Sequence, residues 1–232
     1  MNLSCAFQPI VNVTNETIFS YEALVRGVNK ETAAQVISAV KESDLAAFDQ
    51  KARETAITIA AELGIKSAIN INFLPRSIYK NDKMVRRTLH FAEQHGFKPN
   101  QIYLEVTEQE IIKEQQQFVE LANEYHGMGM KVAIDDFGAG YSGLNMLANF
   151  PPDLVKLDIS LIKDINQNGP RQSIIKAVKQ VCFDLGIELL AEGVETMAEY
   201  SWLRQQEIEI FQGFLFAEPG FEYLPEPVFP KL

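Results

Sequence analysis

The sequence predicts an α/β fold, a TIM-like (β/α)8 barrel whose first strand runs antiparallel to the others. Three observations carry this reading. Apolar runs of strand length recur eight times, and helix-length segments separate most of them. Between the first two runs, however, Asn12 to Glu16 leaves room only for a tight turn, so that pair must be antiparallel.

In order, the first strand is read at Phe7–Val13 and the second at Thr17–Val25. Helical segments at Glu31–Ser43 and Phe48–Leu63 lead to a third strand at Ser67–Phe73. From there strand and helix alternate: helix Lys83–His95, strand Ile102–Val106, helix Gln115–Gly127, strand Lys131–Ile134, helix Ser142–Ala148 and strand Leu154–Leu157. Helix Ser173–Leu185, strand Glu188–Ala191, helix Thr196–Gln206 and strand Ile208–Phe211 complete the series. Each connection is long enough for the crossover that parallel neighbours require. The segment from Pro219 to Pro230 is too apolar for a free tail and is read as packing back across the barrel.

Neither a Gly/Ser linker nor an internal repeat divides the 232 residues, and residues 1–232 are read as one domain. The balance of 21 Lys+Arg against 31 Asp+Glu, a net charge of −10, argues against binding to a nucleic-acid polymer. No apolar run approaches the roughly 18 to 20 residues of a membrane span, so no membrane insertion is expected. The first basic residue is Arg26, so the N-terminus lacks a charged signal-peptide region. Cys5 and Cys182 stand far apart with no metal-ligand spacing, as in a reducing compartment, and the expected location is cytoplasmic.

In a β/α barrel the chemistry sits at the C-terminal ends of the strands, so the residues found there are the informative ones. Here they are lopsidedly acidic. Glu22 lies near the end of the second strand, Asn72 ends the third, Glu105 the fourth, and Asp135-Asp136 the fifth. Lys156 and Asp158 come from the sixth, Glu192 from the seventh and Gln212 from the eighth. Taken singly, a carboxylate after a strand is explained as an N-cap of the next helix, and Thr107 with Glu110 reads as a capping box. Asn70 shares a face with Asn72 and reads either as a ligand or as a satisfied interior amide.

Together they resist that explanation. Glu22, Glu105, Asp135, Asp136 and Glu192 against Lys156 leave −4 around one cavity, which is tolerable only if the groups protonate or if cations neutralise them. Two divalent ions supply the balance, and an all-oxygen donor set selects Mg²⁺ or Mn²⁺ over zinc. Two such ions suit in-line displacement at phosphorus, with the Asp135-Asp136 tandem as the bridge. Lys156 is then placed to orient the attacking water or to stabilise charge on phosphorus, and Arg26 fits a substrate phosphate.

The segment Glu22-Ala23-Leu24-Val25-Arg26 resembles the signature of the EAL domain, the bacterial phosphodiesterase that linearises cyclic di-GMP to pGpG. The resemblance runs from Phe7-Gln8-Pro9-Ile10-Val11 through Asn72-Phe73-Leu74-Pro75-Arg76, Leu104-Glu105-Val106-Thr107-Glu108 and Asp135-Asp136-Phe137-Gly138. It continues through Lys156-Leu157-Asp158 and Ala191-Glu192-Gly193-Val194-Glu195-Thr196 to Gln212-Gly213-Phe214. It implies one metal at Glu22, Asn72, Glu105 and Asp135 and a second at Asp135, Asp136 and Glu192, with Glu192 as general base. It further implies catalytic roles for Lys156 and Asp158 and substrate contacts at Gln8, Leu24, Arg26, Glu195 and Gln212. Glu108 would brace the loop after Asp136, next to a homodimer interface.

Departures from the family pattern are few. Ala139 and Gly143 lack hydroxyls common in the loop, Leu74 replaces a frequent Ser, and Glu218 stands where Lys is usual. No ligand position is lost. The implied function is metal-dependent hydrolysis of cyclic di-GMP, with Ca²⁺ expected to bind without supporting turnover. The alternative is a catalytically weak EAL domain serving as a cyclic di-GMP receptor or a protein-interaction module.

Overall fold

A computed structural model describes residues 2–74, 83–113, 115–140 and 143–231. The Pro75-Arg76 and Tyr141-Ser142 motif positions, and the expected start of a helix at Ser142, lie outside the described residues. The strands are β1 (Leu3–Asn12), β2 (Thr17–Gly27), β3 (Ala68–Asn72), β4 (Ile102–Thr107), β5 (Lys131–Phe137), β6 (Leu154–Leu157), β7 (Glu188–Ala191), β8 (Ile210–Phe211) and β9 (Gly220–Phe221). β2 to β8 follow one another as parallel neighbours, and antiparallel β1 closes the barrel between β8 and β2.

The ninth strand accounts for the apolar C-terminal segment. β8 covers β1 only at Val11 and Asn12, and β9 pairs farther along the same edge at Ala6 and Phe7. The Pro225 carbonyl accepts the Tyr21 hydroxyl at 3.5 Å, and Val228 N–H donates to the Phe216 carbonyl at 2.9 Å, so the segment is fastened along its length. An edge that a two-residue strand leaves open is thereby covered.

The helices are α1 (Ala33–Ser38), α2 (Leu45–Glu62), α3 (Lys83–Gln94), α4 (Glu108–Lys113), α5 (Gln115–Gly127), α6 (Gly143–Asn149), α7 (Ile159–Ile162), α8 (Gly169–Leu185) and α9 (Met197–Gln205). Two differ instructively from expectation. α1 is shorter, because Glu42–Asp44 forms a separate 3-10 turn ahead of α2. α8 starts earlier, because Asn168 caps it by accepting Arg171 N–H at 3.2 Å and Pro170 occupies its first turn.

Period-two alternation assigns the two faces of each strand. Leu104, Ile134, Val155, Ala191 and Phe211 point outward into a core shared with helices that include α2 and α8. Between them, Ile10, Tyr103, Ala133, Leu154, Leu190 and Ile210 fill the lower interior as a separate buried cluster. The next inward position on each of these strands is polar: Gln8, Glu105, Asp135, Lys156, Glu192 and Gln212.

Candidate active site

These polar positions meet at the upper end of the barrel. Lys156 lies at the centre with no exposed surface, its Nζ 2.6 Å from Glu192, 2.8 Å from Glu105, 2.9 Å from Asp135 and 3.6 Å from Glu22. The contacts are ion pairs rather than well-angled hydrogen bonds. Burial opposes the charge on Lys156, yet Asp135, Glu105, Glu192 and Glu22 hold its ammonium well above the usual lysine range.

One cation does not satisfy this many carboxylates. Burial pushes Glu105 up to about 8 although Lys156 pulls the other way. It drives Glu192 well above the carboxylate range, with Asp135 and Glu22 adding repulsion. Burial and the adjacent Asp135 raise Asp136 to about 6. Glu105 Oε2 is buried with no hydrogen-bond partner among the described residues. This set is short of positive charge and retains free oxygen ligands, which fits hard divalent cations. Two triads offer carboxylate oxygens within 4.8 Å of one another, Glu22–Glu105–Asp135 and Asp135–Asp136–Glu192, and Asp135 belongs to both.

A backbone irregularity lets consecutive aspartates serve one cavity. In a regular strand Asp135 and Asp136 would face opposite sides. β5 instead carries a bulge against β6: Ile134 pairs with Val155 and Phe137 with Leu157, an extra residue on the β5 side. Asp136 takes a left-handed φ of 54°, uncommon for a residue with a side chain, and its carboxylate lines the same cavity as Asp135.

Two buried carboxylates hold the neighbouring loops. Glu108 Oε2 accepts Gly138 N–H at 3.1 Å and Gly140 N–H at 3.3 Å, on the loop after Asp136. A Cβ at Gly140 would lie 2.8 Å from Glu108 Oε1, so glycine is what permits this approach. Glu199, which sequence reasoning passed over, accepts Glu195 N–H at 3.2 Å, Thr196 N–H at 3.0 Å and Asp164 N–H at 2.9 Å. Its sequence signal was the Thr196-x-x-Glu199 capping box.

The remaining expected residues divide by position. Gln8, Asp158, Glu195 and Gln212 line a cavity of about 300 Å³ with Glu22, Asp135, Asp136 and Glu192. Gln212 donates to Glu22 at 2.7 Å and to Gln8 at 3.1 Å. Asp158 also caps α7, accepting Ser160 N–H at 2.8 Å. Asn72 donates to Glu22 at 3.4 Å, and with Leu24 it lines a second cavity of about 540 Å³ that shares Glu22 as a wall. Asn70 donates to Glu105 at 2.8 Å. Arg26 lines neither cavity and donates to the Val25 carbonyl at 2.9 Å. Among the departures, Ala139 and Glu218 are exposed and Leu74 lines the second cavity.

A family model described as the EAL domain matches residues 1–219. The chain belongs to the EAL domain family. This EAL domain is 36% identical over 228 residues to the blue light- and temperature-regulated antirepressor BluF of Escherichia coli, covering 97% of this chain and 56% of BluF. It is 34% identical over 160 residues to the cyclic di-GMP phosphodiesterase PdeR of the same organism, covering 68% of this chain and 23% of PdeR. The domain thus spans about half or less of these curated relatives.

Among solved structures, a standalone versatile EAL protein from Vibrio cholerae O395 in its cyclic di-GMP-bound form is 46% identical, with a TM-score of 0.91, covering 98% of this chain and 96% of that one. BlrP1 of Klebsiella pneumoniae, in a complex with calcium and cyclic di-GMP, is 37% identical with a TM-score of 0.94, covering 98% of this chain and 58% of that one. No helix among the described residues is long and apolar enough to cross a membrane.

Proposed function

We propose that this EAL domain hydrolyses cyclic di-GMP to linear pGpG by a two-metal, in-line displacement. The observation that carries the reading is the pair of carboxylate triads sharing Asp135. The names of PdeR and of the nucleotide-bound neighbours support the choice of substrate. Glu22, Asn72, Glu105 and Asp135 would hold one Mg²⁺ or Mn²⁺, and Asp135, Asp136 and Glu192 the other. When bound, the ions activate a water and stabilise the leaving oxygen.

The chain's own residues do the rest. Glu192 accepts the proton of the attacking water, a role suited to a carboxylate whose environment raises its basicity. Lys156 keeps a fixed positive charge beneath the reacting phosphorus, where negative charge grows. Asp158 spends one oxygen on α7 and offers the other to the cavity. Gln8, Gln212 and Glu195 contact the nucleotide within the first cavity, and Leu24 contacts the base across Glu22 in the second. Arg26 reaches a substrate phosphate after leaving the Val25 carbonyl. Two copies associate beside the loop after Asp136.

A second reading, a nucleotide-responsive binding module with little turnover, draws on the similarity to BluF, named as an antirepressor. Chromatographic assay of pGpG separates the two. Hydrolysis with Mg²⁺ or Mn²⁺, and nucleotide binding without turnover with Ca²⁺, is the expected result. Cyclic di-GMP binding with no product under any of these ions favours the module.

A further inference from the structure

Away from the acidic cluster, a charged group sealed inside the protein is Arg53 on α2, 1% exposed. Asp49, Gln50 and Thr88 around it are also buried. Its guanidinium pairs with Asp49, donates to Gln50 Oε1 at 3.0 Å and to Thr88 Oγ1 at 3.1 Å, and lies 5.2 Å from the centroid of the Phe73 ring. Burying an arginine is costly unless its donors are met, and here none of the partners belongs to the acidic cluster.

What the network touches gives it a use. Asp49 Oδ1 accepts Leu74 N–H at 3.3 Å, and the Arg53 face covers Phe73. On the other side, Phe73 N–H donates to the Glu105 carbonyl at 2.9 Å. The two residues that follow Asn72 are therefore fastened to α2 and β4. Asn72 itself is exposed, and its 3.4 Å contact with Glu22 is too long to fix its amide unaided.

We propose that the Asp49–Arg53 pair is a positioning device for Asn72, anchoring the backbone that leaves β3 so that the amide stays beside Glu22 and the ion held there. The inference rests on the metal-centre reading above. It makes α2, a helix outside the barrel, part of the apparatus that sets metal affinity.

The test uses the full chain with Asp49→Leu and Arg53→Met combined, since removing both partners leaves neither charge of the pair buried without the other. In the folded double variant, exchange of the Leu74 amide measured by NMR should be at least about tenfold faster. Mn²⁺ affinity without nucleotide, followed by electron paramagnetic resonance, should weaken about 10- to 100-fold. Turnover number should fall by a similar factor while KM changes little. Arg53→Lys, which keeps a cation for Asp49 but loses the planar fork, should fall between, and it supplies the reading if the double variant does not fold. A folded variant with wild-type Leu74 exchange and wild-type Mn²⁺ affinity overturns the proposal. If the wild type itself binds no Mn²⁺, the metal-centre reading fails, and Leu74 exchange alone decides whether the pair anchors this backbone.

Discussion

The lower and upper halves of the barrel interior come from the same strands, two residues apart, and they have opposite physical characters. Below, Ile10, Tyr103, Ala133, Leu154, Leu190 and Ile210 are packed and nearly solvent-free, each large apolar side chain contributing about 1.5 to 3 kcal/mol. Above, between Gln8 and Gln212, the carboxylates Glu105, Asp135 and Glu192 crowd around the single cation Lys156 in the same enclosure. A single step of the β pleat separates the part that stabilises the fold from the part that strains it. Strain of this kind persists only where the surrounding structure over-determines it, and it marks the charged half as the functional one.

The comparison is sharpest in mutants. Glu22→Ala or Asp135→Ala should lower pGpG formation by more than about 10³-fold, beyond the loss of a single hydrogen-bond donor. The same variants, free of metal, should melt at or above the wild-type temperature because repulsion is relieved. A metal-free melting point well below wild type would contradict this. Leu154→Ala in the lower layer should do the reverse, costing about 2 to 5 kcal/mol of stability in denaturant titration while turnover of the folded protein stays normal.

A smaller effect is expected at Glu108. Glu108→Ala removes the acceptor for Gly138 and Gly140, so turnover and Mg²⁺ response should fall about 10- to 100-fold while cyclic di-GMP binding, measured by calorimetry, is kept. Normal turnover at limiting Mg²⁺ would reduce Glu108 to part of the first turn of α4.

The two ends also differ in pH response. Near the barrel's lower rim, burial raises Asp153, but Lys131, Val132 N–H and His126 outweigh it and hold the carboxyl below its usual 3.8. The stability Asp153 contributes is present above 3.8 and is lost as pH falls through the lower folded value. Glu105 has the opposite sign. Its folded value of about 8 exceeds the ordinary 4.5, so metal-free stability should decline as pH rises from 4.5 to 8. Melting curves across that range, flattened by Mg²⁺, are the expected outcome; a metal-free melting point that rises steadily would contradict it.

Much of this was legible in the sequence because the barrel ties chemistry to strand ends, and alternation says which residues point inward. The antiparallel start followed from a connection too short to cross over, between Asn12 and Glu16. The bulge at Asp136 was not legible, since nothing in Ile134-Asp135-Asp136-Phe137 signals a left-handed residue. For the short helices α4 and α7 the sequence offered cap signals at most, such as Thr107 with Glu110, and no range, because six and four residues are too few to display a helical period. The segment from Pro219 to Pro230 was read as packing back across the barrel, but the prolines around Gly220-Phe221 concealed that it does so as a strand, β9, paired with β1. Glu199 was passed over, because its Thr196-x-x-Glu199 spacing signals no more than a helix cap and its third donor, Asp164, lies 35 residues away in sequence.

The claim that the upper half is built to hold two ions through one shared aspartate is tested most directly by counting Mn²⁺ bound at equilibrium. The wild type should bind two ions per chain, Glu22→Ala should lose one tight site, and Asp135→Ala, which belongs to both triads, should lose both. A folded Asp135→Ala variant that still binds two ions tightly, or a wild type that binds none, would contradict the account.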